Sequence, residues 1–283
     1  MRDSEEENLL PVTESNNRFV CVDYLVELLL LCCIMSLFFL SQPDYSYDYY
    51  VFAQQWPSAL CNEINKTHHG SCTKVPEKVD SWVVHGLWPS KSHVKKHGPF
   101  ACNSSWPYNH NDVVSILPRM EKFWPNLMQN TPDDSFWKHE WEKHGTCACQ
   151  HDSCSSEKVY FEKALDIRDR LDCDGLLAAH GITPSEEQGY DFASVSRAIS
   201  NGFDGEFQCY GPQRHDYQVL AQVYICLDKE FNQVRCEDVR GRKQENLIEG
   251  FFNTGPYDPR SCREDVPVMI YPVHMPMTSS TRL

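Results

Sequence analysis

The sequence is short of positive charge and of any long apolar run. Its 283 residues hold 26 Lys and Arg against 40 Asp and Glu, a formal net charge of −14. Residues 1–40 contain two basic and seven acidic side chains, so the rest of the chain still sets 24 basic residues against 33 acidic ones. A broad basic face that gathers a polyanion is thereby excluded, and any nucleic-acid contact has to be a local cationic pocket. Twelve histidines make the deficit depend on pH, because an unperturbed imidazole titrates near ~6.5. The deficit shrinks in mild acid, which points to an acidic working compartment. Internal repeats and long linkers are also missing, which sets aside repeat architectures.

The longest uncharged apolar run, Leu28 to Leu40, is 13 residues, below the ~20 that span a bilayer as a helix. It ends an apolar segment, Phe19 to Leu40, whose first half carries Asp23 and Glu27. Its length fits the h-region of a signal peptide, yet residues 1–18 are acidic and no small-x-small cleavage site follows Leu40. A signal anchor with residues 1–18 in the cytosol is the alternative, although two acids in the span are costly. In that case Glu5-Glu6-Glu7-Asn8-Leu9-Leu10 resembles an acidic dileucine sorting signal. Both readings place the rest of the chain in the secretory pathway.

Cysteine is abundant where charge is not. Eleven of the 14 cysteines lie between Cys61 and Cys262, a density expected of an oxidising compartment. Sequons at Asn65-Lys-Thr and Asn103-Ser-Ser agree with it and mark Asn65 and Asn103 as glycosylation candidates. The pattern predicts strands at Tyr50 to Pro57, Asp80 to His85 (closed by Gly86 and Pro89), Tyr217 to Leu227 and Val266 to Tyr271. Helical spacing runs from Asp112, a candidate N-cap, to Leu127, with a kink at Pro118. Further helices open at Ser135 (with Gly145 as C′ glycine), at Ser155-Ser156-Glu157, and at Asp191, the last ending at Asn201-Gly202. Strands and helices do not alternate regularly. The expected fold is therefore α+β, an antiparallel β-sheet core with several packed helices, stabilised by disulfides.

Two runs concentrate the chemistry: Trp82 to Pro89 (WVVHGLWP) and Phe136 to Cys147 (FWKHEWEKHGTC). At about 100° per residue, His139 and Lys143 share one line of a helix and Glu140 and His144 the adjacent line, within an arc of about 140°. Two proton carriers, an acid and a fixed cation thus line one wall, with Trp141 turned into the core. A zinc reading is disfavoured because H-E-x-x-H needs its histidines at i and i+4, whereas these stand at i and i+5 with Lys143 among them. The sulfurs of Cys147, Cys149 and Cys154 are read as bridges rather than a second metal site. Histidines 68, 69, 93, 97, 110, 151, 180, 215 and 274 are read as scaffolding.

HGLWP at His85 to Pro89 and HEWEKHGTC at His139 to Cys147 resemble the two active-site segments of the ribonuclease T2 family, acid endoribonucleases of the transferase type. The likeness runs from about Tyr47 to Pro272, which leaves residues 273–283 as a tail around a 47–272 catalytic domain. Flanking text such as Cys102-Asn103-Ser104-Ser105-Trp106-Pro107 looks most like the animal members. The resemblance implies cleavage of single-stranded RNA without metal or other cofactor, by attack of the ribose 2′-hydroxyl on phosphorus to give a 2′,3′-cyclic phosphate and then a 3′-phosphate. It makes His144 the base, His85 the acid and His139 a phosphate binder, with Lys143 and Glu140 stabilising the transition state. Trp88 would stack one base and Phe136 with Gln55 would contact the other. Ser90 stands where many members have aspartate, so no base preference follows. The family's bridges map to Cys61–Cys72, Cys102–Cys147, Cys209–Cys262 and Cys226–Cys236. Of the remaining three, Cys149–Cys154 is the expected extra bridge, with Cys173 competing for either partner and offering a thiol for dimerisation in a family that is usually monomeric. The setting implied is an endolysosomal lumen or the exterior. An inactive binding member is the rival, opposed by the intact His85, Glu140, Lys143 and His144.

Overall fold

A computed structural model describes residues 27–31, 44–67, 71–92, 98–151, 154–200, 205–211, 216–240 and 262–274. The dileucine-like segment, most of the apolar segment before residue 41, and histidines 68, 69, 93, 97 and 215 lie outside them, as do Asn201-Gly202. Two compact units divide after Asp44. In the first, residues 27–31 are helical, and no described helix is long and apolar enough to cross a membrane.

The second unit is built on one sheet. Its strands are β1 (Tyr49–Gln55), β2 (Val83–Ser90), β3 (Gly189–Tyr190), β4 (Gly205–Tyr210), β5 (Gln218–Leu227), β6 (Gln233–Val234) and β7 (Val268–Met269). Their order is β2-β1-β5-β7-β3, with β4 and β6 also paired to β5. All pairs are antiparallel except β5–β7, which is parallel. The all-buried run QVLAQVYICL explains why β5 is central: β-branched and aromatic residues covered on both faces suit an interior strand. β2 does not stop at Gly86, as its glycine and proline suggest, but continues through Pro89. It is an edge strand, where a missing N–H costs no ladder bond. Along the edge Pro89 therefore keeps the whole HGLWP run extended.

The helices are α1 (Pro57–Thr67), α2 (His110–Val113), α3 (Leu117–Phe123), α4 (Ser135–Glu140), α5 (Thr146–Ala148), α6 (Glu157–Arg170), α7 (Cys173–Ala179), α8 (Phe192–Ser200) and α9 (Cys236–Arg240). The helix expected from Asp112 to Leu127 is broken into α2, a 3₁₀ turn and α3. Its cap is Asn109, which accepts from the Asn111 N–H, and Pro118 starts the third piece because its ring cannot sit inside a continuous helix. The Ser156 hydroxyl caps α6 through the Val159 N–H, as expected. α1, α7, α9 and the short strands β3, β4 and β6 have no counterpart among the predicted elements. Indole N–H groups tie the helical layer together: Trp124 donates to the carbonyl of His85, and Trp137 to that of Trp124.

Among the described residues five disulfides are formed: Cys61–Cys72, Cys102–Cys147, Cys149–Cys154, Cys209–Cys262 and Cys226–Cys236. Cys173 is the free thiol among the described residues, and it is buried, with burial pushing its ionisation far upward. A bridge between two copies through it would require opening the core, so the thiol is not placed for dimerisation. Of the two sequons, Asn103 forms a local turn to the Ser105 N–H. Asn65 grips the backbone N–H and carbonyl of Cys72 with both ends of its amide.

Candidate active site

Regular strand geometry places residues three apart on opposite faces, and His85 and Trp88 are three apart. Their rings nevertheless meet edge to face, with centroids 5.0 Å apart. A β-bulge is the cause. Ala53 pairs with Gly86 and Gln54 with Val84, so His85 is the extra residue on β2, turned onto the face of Trp88. Its Nδ1 is 2.6 Å from the side-chain oxygen of Gln222 on β5.

The second run reaches the same face from α4. Its helix does not end at Gly145: a π turn, Trp141–Gly145, inserts one extra residue and the chain continues into α5. Gly145 is there for space, since its φ is an ordinary −60° and a Cβ would collide with the Trp141 ring. The wider turn overturns the spacing argument against a metal. It brings the i and i+5 histidines to one side, with His139 and His144 centroids 6.5 Å apart and donor atoms of His139, Glu140 and His144 within 4.8 Å of one another. These three could hold an ion as far as geometry goes, so what favours phosphate here is Lys143 beside them.

Trp88 is the hub. Its indole N–H donates to the Glu140 carboxylate at 2.9 Å, and its ring lies 5.6 Å from His144 and 5.0 Å from His85. The two imidazoles thus pack against one indole. Phe136 completes the wall at 6.0 Å from His85. Gly86 is the close-approach position: a Cβ there would strike both the Trp88 nitrogen and the Glu140 oxygen. Gly86→Ala is expected to displace that pair and lower RNA cleavage by about 10²-fold, the cost of a misplacement near 1 Å. Its thermal midpoint should fall as well, reflecting the roughly 1–3 kcal/mol of an overpacked buried contact, and wild-type initial rates in the folded variant would show that the contact does not matter.

Burial sets the protonation states. Glu140 is buried and pushed up to about 8 against the opposing pull of Trp88 and Lys143, so its carboxyl is neutral in mild acid. His144 is buried and held well below the usual imidazole range, with Lys143, His139 and His85 adding to the effect. Its Nδ1 has no hydrogen-bond partner. Burial lowers His85 to about 4 against the raising effect of Gln222, and burial with Lys143 lowers His139 to about 4. An uncharged base, a neutral acid and a cation converge on one face.

Sequence reasoning missed three contributors. Phe100, 36% exposed, stands 5.6 Å from His144 with the Lys143 ammonium 5.3 Å from its ring, and the Ala101 N–H is bonded to the Lys143 carbonyl. Gln222 and Gln208 occupy one rung of β5 and β4, and Gln55 occupies the same rung of β1. Gln55 is buried there with its side-chain nitrogen unpaired, which places it beneath the site rather than on an open face. The glutamines inside the otherwise apolar run YQVLAQVYICL, Gln222 above all, were the available signal. Ser90 is buried and turns its hydroxyl onto the Trp88 carbonyl.

Residues 47–236 match the Ribonuclease T2 family. Ribonuclease Oy of Magallana gigas is 40% identical over 193 residues, 67% of this chain and 87% of its own length. Ribonuclease T2 of Homo sapiens is 35% identical over 228 residues, 78% of this chain and 83% of its own. Among solved structures, human RNase T2 superposes with a TM-score of 0.61 at 32% identity, covering 80% of this chain and 99% of that one. RNase NT, solved in complex with 5′-AMP, gives 0.61 at 27% identity with the same coverage.

Proposed function

Because the chain belongs to the ribonuclease T2 family and is an RNA-cleaving enzyme, we propose that it cuts single-stranded RNA by 2′-hydroxyl transphosphorylation, with Lys143 rather than a metal as its fixed cation. The observation that carries this reading is the pair of imidazoles, His85 and His144, both packed against Trp88 at 5.0 and 5.6 Å. In-line attack needs a base at the 2′-hydroxyl and an acid at the 5′-oxygen on opposite sides of one phosphorus, and such a pair supplies them.

His144, kept neutral by burial, takes the 2′-hydroxyl proton as the 2′-oxygen attacks phosphorus. His85, charged by proton uptake, gives its proton to the departing 5′-oxygen. The products are a 2′,3′-cyclic phosphate and a 5′-hydroxyl. Water then attacks the cyclic ester with the roles reversed, leaving a 3′-phosphate. His139 and Lys143 face the phosphate oxygens. Glu140, neutral below about 8, donates a hydrogen bond to the phosphorane while Trp88 holds its other oxygen. Trp88 and the exposed Phe100 offer stacking faces to the bases flanking the cut. DNA, with no 2′-hydroxyl, binds at best without being cut.

The pH dependence follows from these states. His85 must carry a proton, and its value near 4 in the free site means that the charged fraction falls as pH rises. Since kcat/KM reports the free enzyme, it should drop roughly tenfold per pH unit above that value, unaffected by EDTA. Chelator-sensitive cleavage, 3′-hydroxyl ends, or a rate that climbs from about pH 5 to about pH 8 would overturn the reading. An acidic lumen or an acidified exterior suits such a profile, and the five bridges suit an oxidising one. A monomer is the proposed working form.

A further inference from the structure

We propose that Gln222 is a positioning residue that fixes the tautomer of His85 through a relay of buried amides. The relay runs along one rung of the sheet. The Gln222 oxygen faces His85 Nδ1 at 2.6 Å, and the Gln222 nitrogen donates to the Gln208 oxygen at 2.9 Å. That same oxygen accepts the Tyr224 hydroxyl at 2.6 Å. All four side chains are buried, at 5% exposure or less.

The amides cannot flip one at a time. Turning Gln222 alone would set its oxygen against the Gln208 oxygen, so the row has only two consistent polarities. In one, His85 Nδ1 carries the hydrogen and Gln222 accepts it. In the other, Nδ1 is the acceptor. Only the first works through a catalytic cycle, because an imidazolium has hydrogen on both nitrogens and its Nδ1–H needs an acceptor in the charged state as well as the neutral one. With Nδ1 held in the sheet, Nε2 is the nitrogen left to exchange a proton with substrate. The relay thus does for His85 what a carboxylate does for a catalytic histidine elsewhere, but without a charge that would hold the proton too tightly for release in mild acid.

The groups that face His85 are His139 from α4, Lys143 and His144 from the π turn, Gln222 from β5, and the rings of Trp88 and Phe136. Burial does most to lower its proton affinity, Gln222 opposes that, and His139 and Lys143 add a smaller lowering. Gln222→Glu, nearly the same shape, should therefore move the alkaline limb of the pH–rate profile up by about one unit or more. Gln222→Leu should move it down and lower kcat/KM by about 10–100-fold.

This inference rests on His85 as the acid, so its test has an arm independent of catalysis. Ring ¹⁵N spectra of the full chain near neutral pH, where His85 is uncharged, should show the Nδ1–H form in the wild type and its loss in Gln222→Leu. A wild-type Nε2–H form overturns the relay, as does a Gln222→Leu enzyme with an unmoved limb. Should that variant fail to fold, the wild-type spectrum and Gln222→Glu carry the test. An Nδ1–H ring together with an active His85→Ala enzyme would sink the catalytic reading and leave the relay standing.

Discussion

His144→Ala is expected to lose about 10²–10⁴ of the RNA-cleavage rate, and His85→Ala a similar amount. The two losses should not multiply. Base and acid serve one transition state, so the double variant is expected to fall little below the worse single one. Neither side chain is a keystone of the fold. His85 projects from a bulge, and its backbone carbonyl, not its ring, anchors Trp124. His144 Nδ1 makes no hydrogen bond that alanine would remove. Folding should survive both changes, which separates a chemical defect from a structural one. The check is the initial rate on single-stranded RNA in mild acid beside a thermal melt, and either alanine variant keeping activity within tenfold of wild type would remove its histidine from the mechanism. His139→Ala should cost less, because a phosphate contact shares its task with Lys143.

Removing Cys102–Cys147, by alanine at both positions, should destabilise the domain by about 4 kcal/mol. That is what loop-closure entropy gives for a bridge spanning 45 residues. Cys226–Cys236 spans only 10 and should cost about 3 kcal/mol by the same relation. The longer bridge also has a local effect. Cys147 lies in α5, which continues the helical run that carries the histidines, and Cys102 follows the segment bearing Phe100 and the Ala101 N–H bond to Lys143. Losing it should lower cleavage even at temperatures where the variant is folded, whereas losing Cys226–Cys236 should not. Urea titrations would rank the two bridges. Equal activity losses in both variants, each folded, would deny the link between the bridge and Lys143.

The side chains proposed to be catalytic were legible because they crowd into two short runs, and the sheet's central strand because its apolar content is so dense. What was illegible came from departures from ideal periods. A strand read with period two puts His85 and Trp88 on opposite faces, and the bulge undoes that. A helix read at 3.6 residues per turn spreads His139 and His144 apart, and the π turn gathers them. Both irregularities add one residue, and both fall at the site, where re-aiming a side chain matters more than ladder regularity. The amide row was hidden for another reason. Its members are 14 residues apart on β4 and β5, and more than 150 from β1, and no local pattern announces a contact that only strand pairing creates. Gly145 misled because glycine usually ends helices through its freedom, whereas here it serves by its lack of a side chain.

The place of β5 in the sheet has a consequence for how the protein is made. Synthesis delivers both histidine runs early, and β1 and β2 can pair at once. The strand that joins β1, β4, β6 and β7, and that brings Gln222 to His85 across 137 residues, emerges only near the end. β7 follows later still, with the carbonyl of Tyr271 taking the Trp56 indole N–H from the opposite end of the domain. A nascent chain therefore carries His85, His139, Glu140, Lys143 and His144 well before it has the strand that joins the sheet together and sets Gln222 against His85, so the frame for RNA cleavage is completed after the groups proposed to perform it.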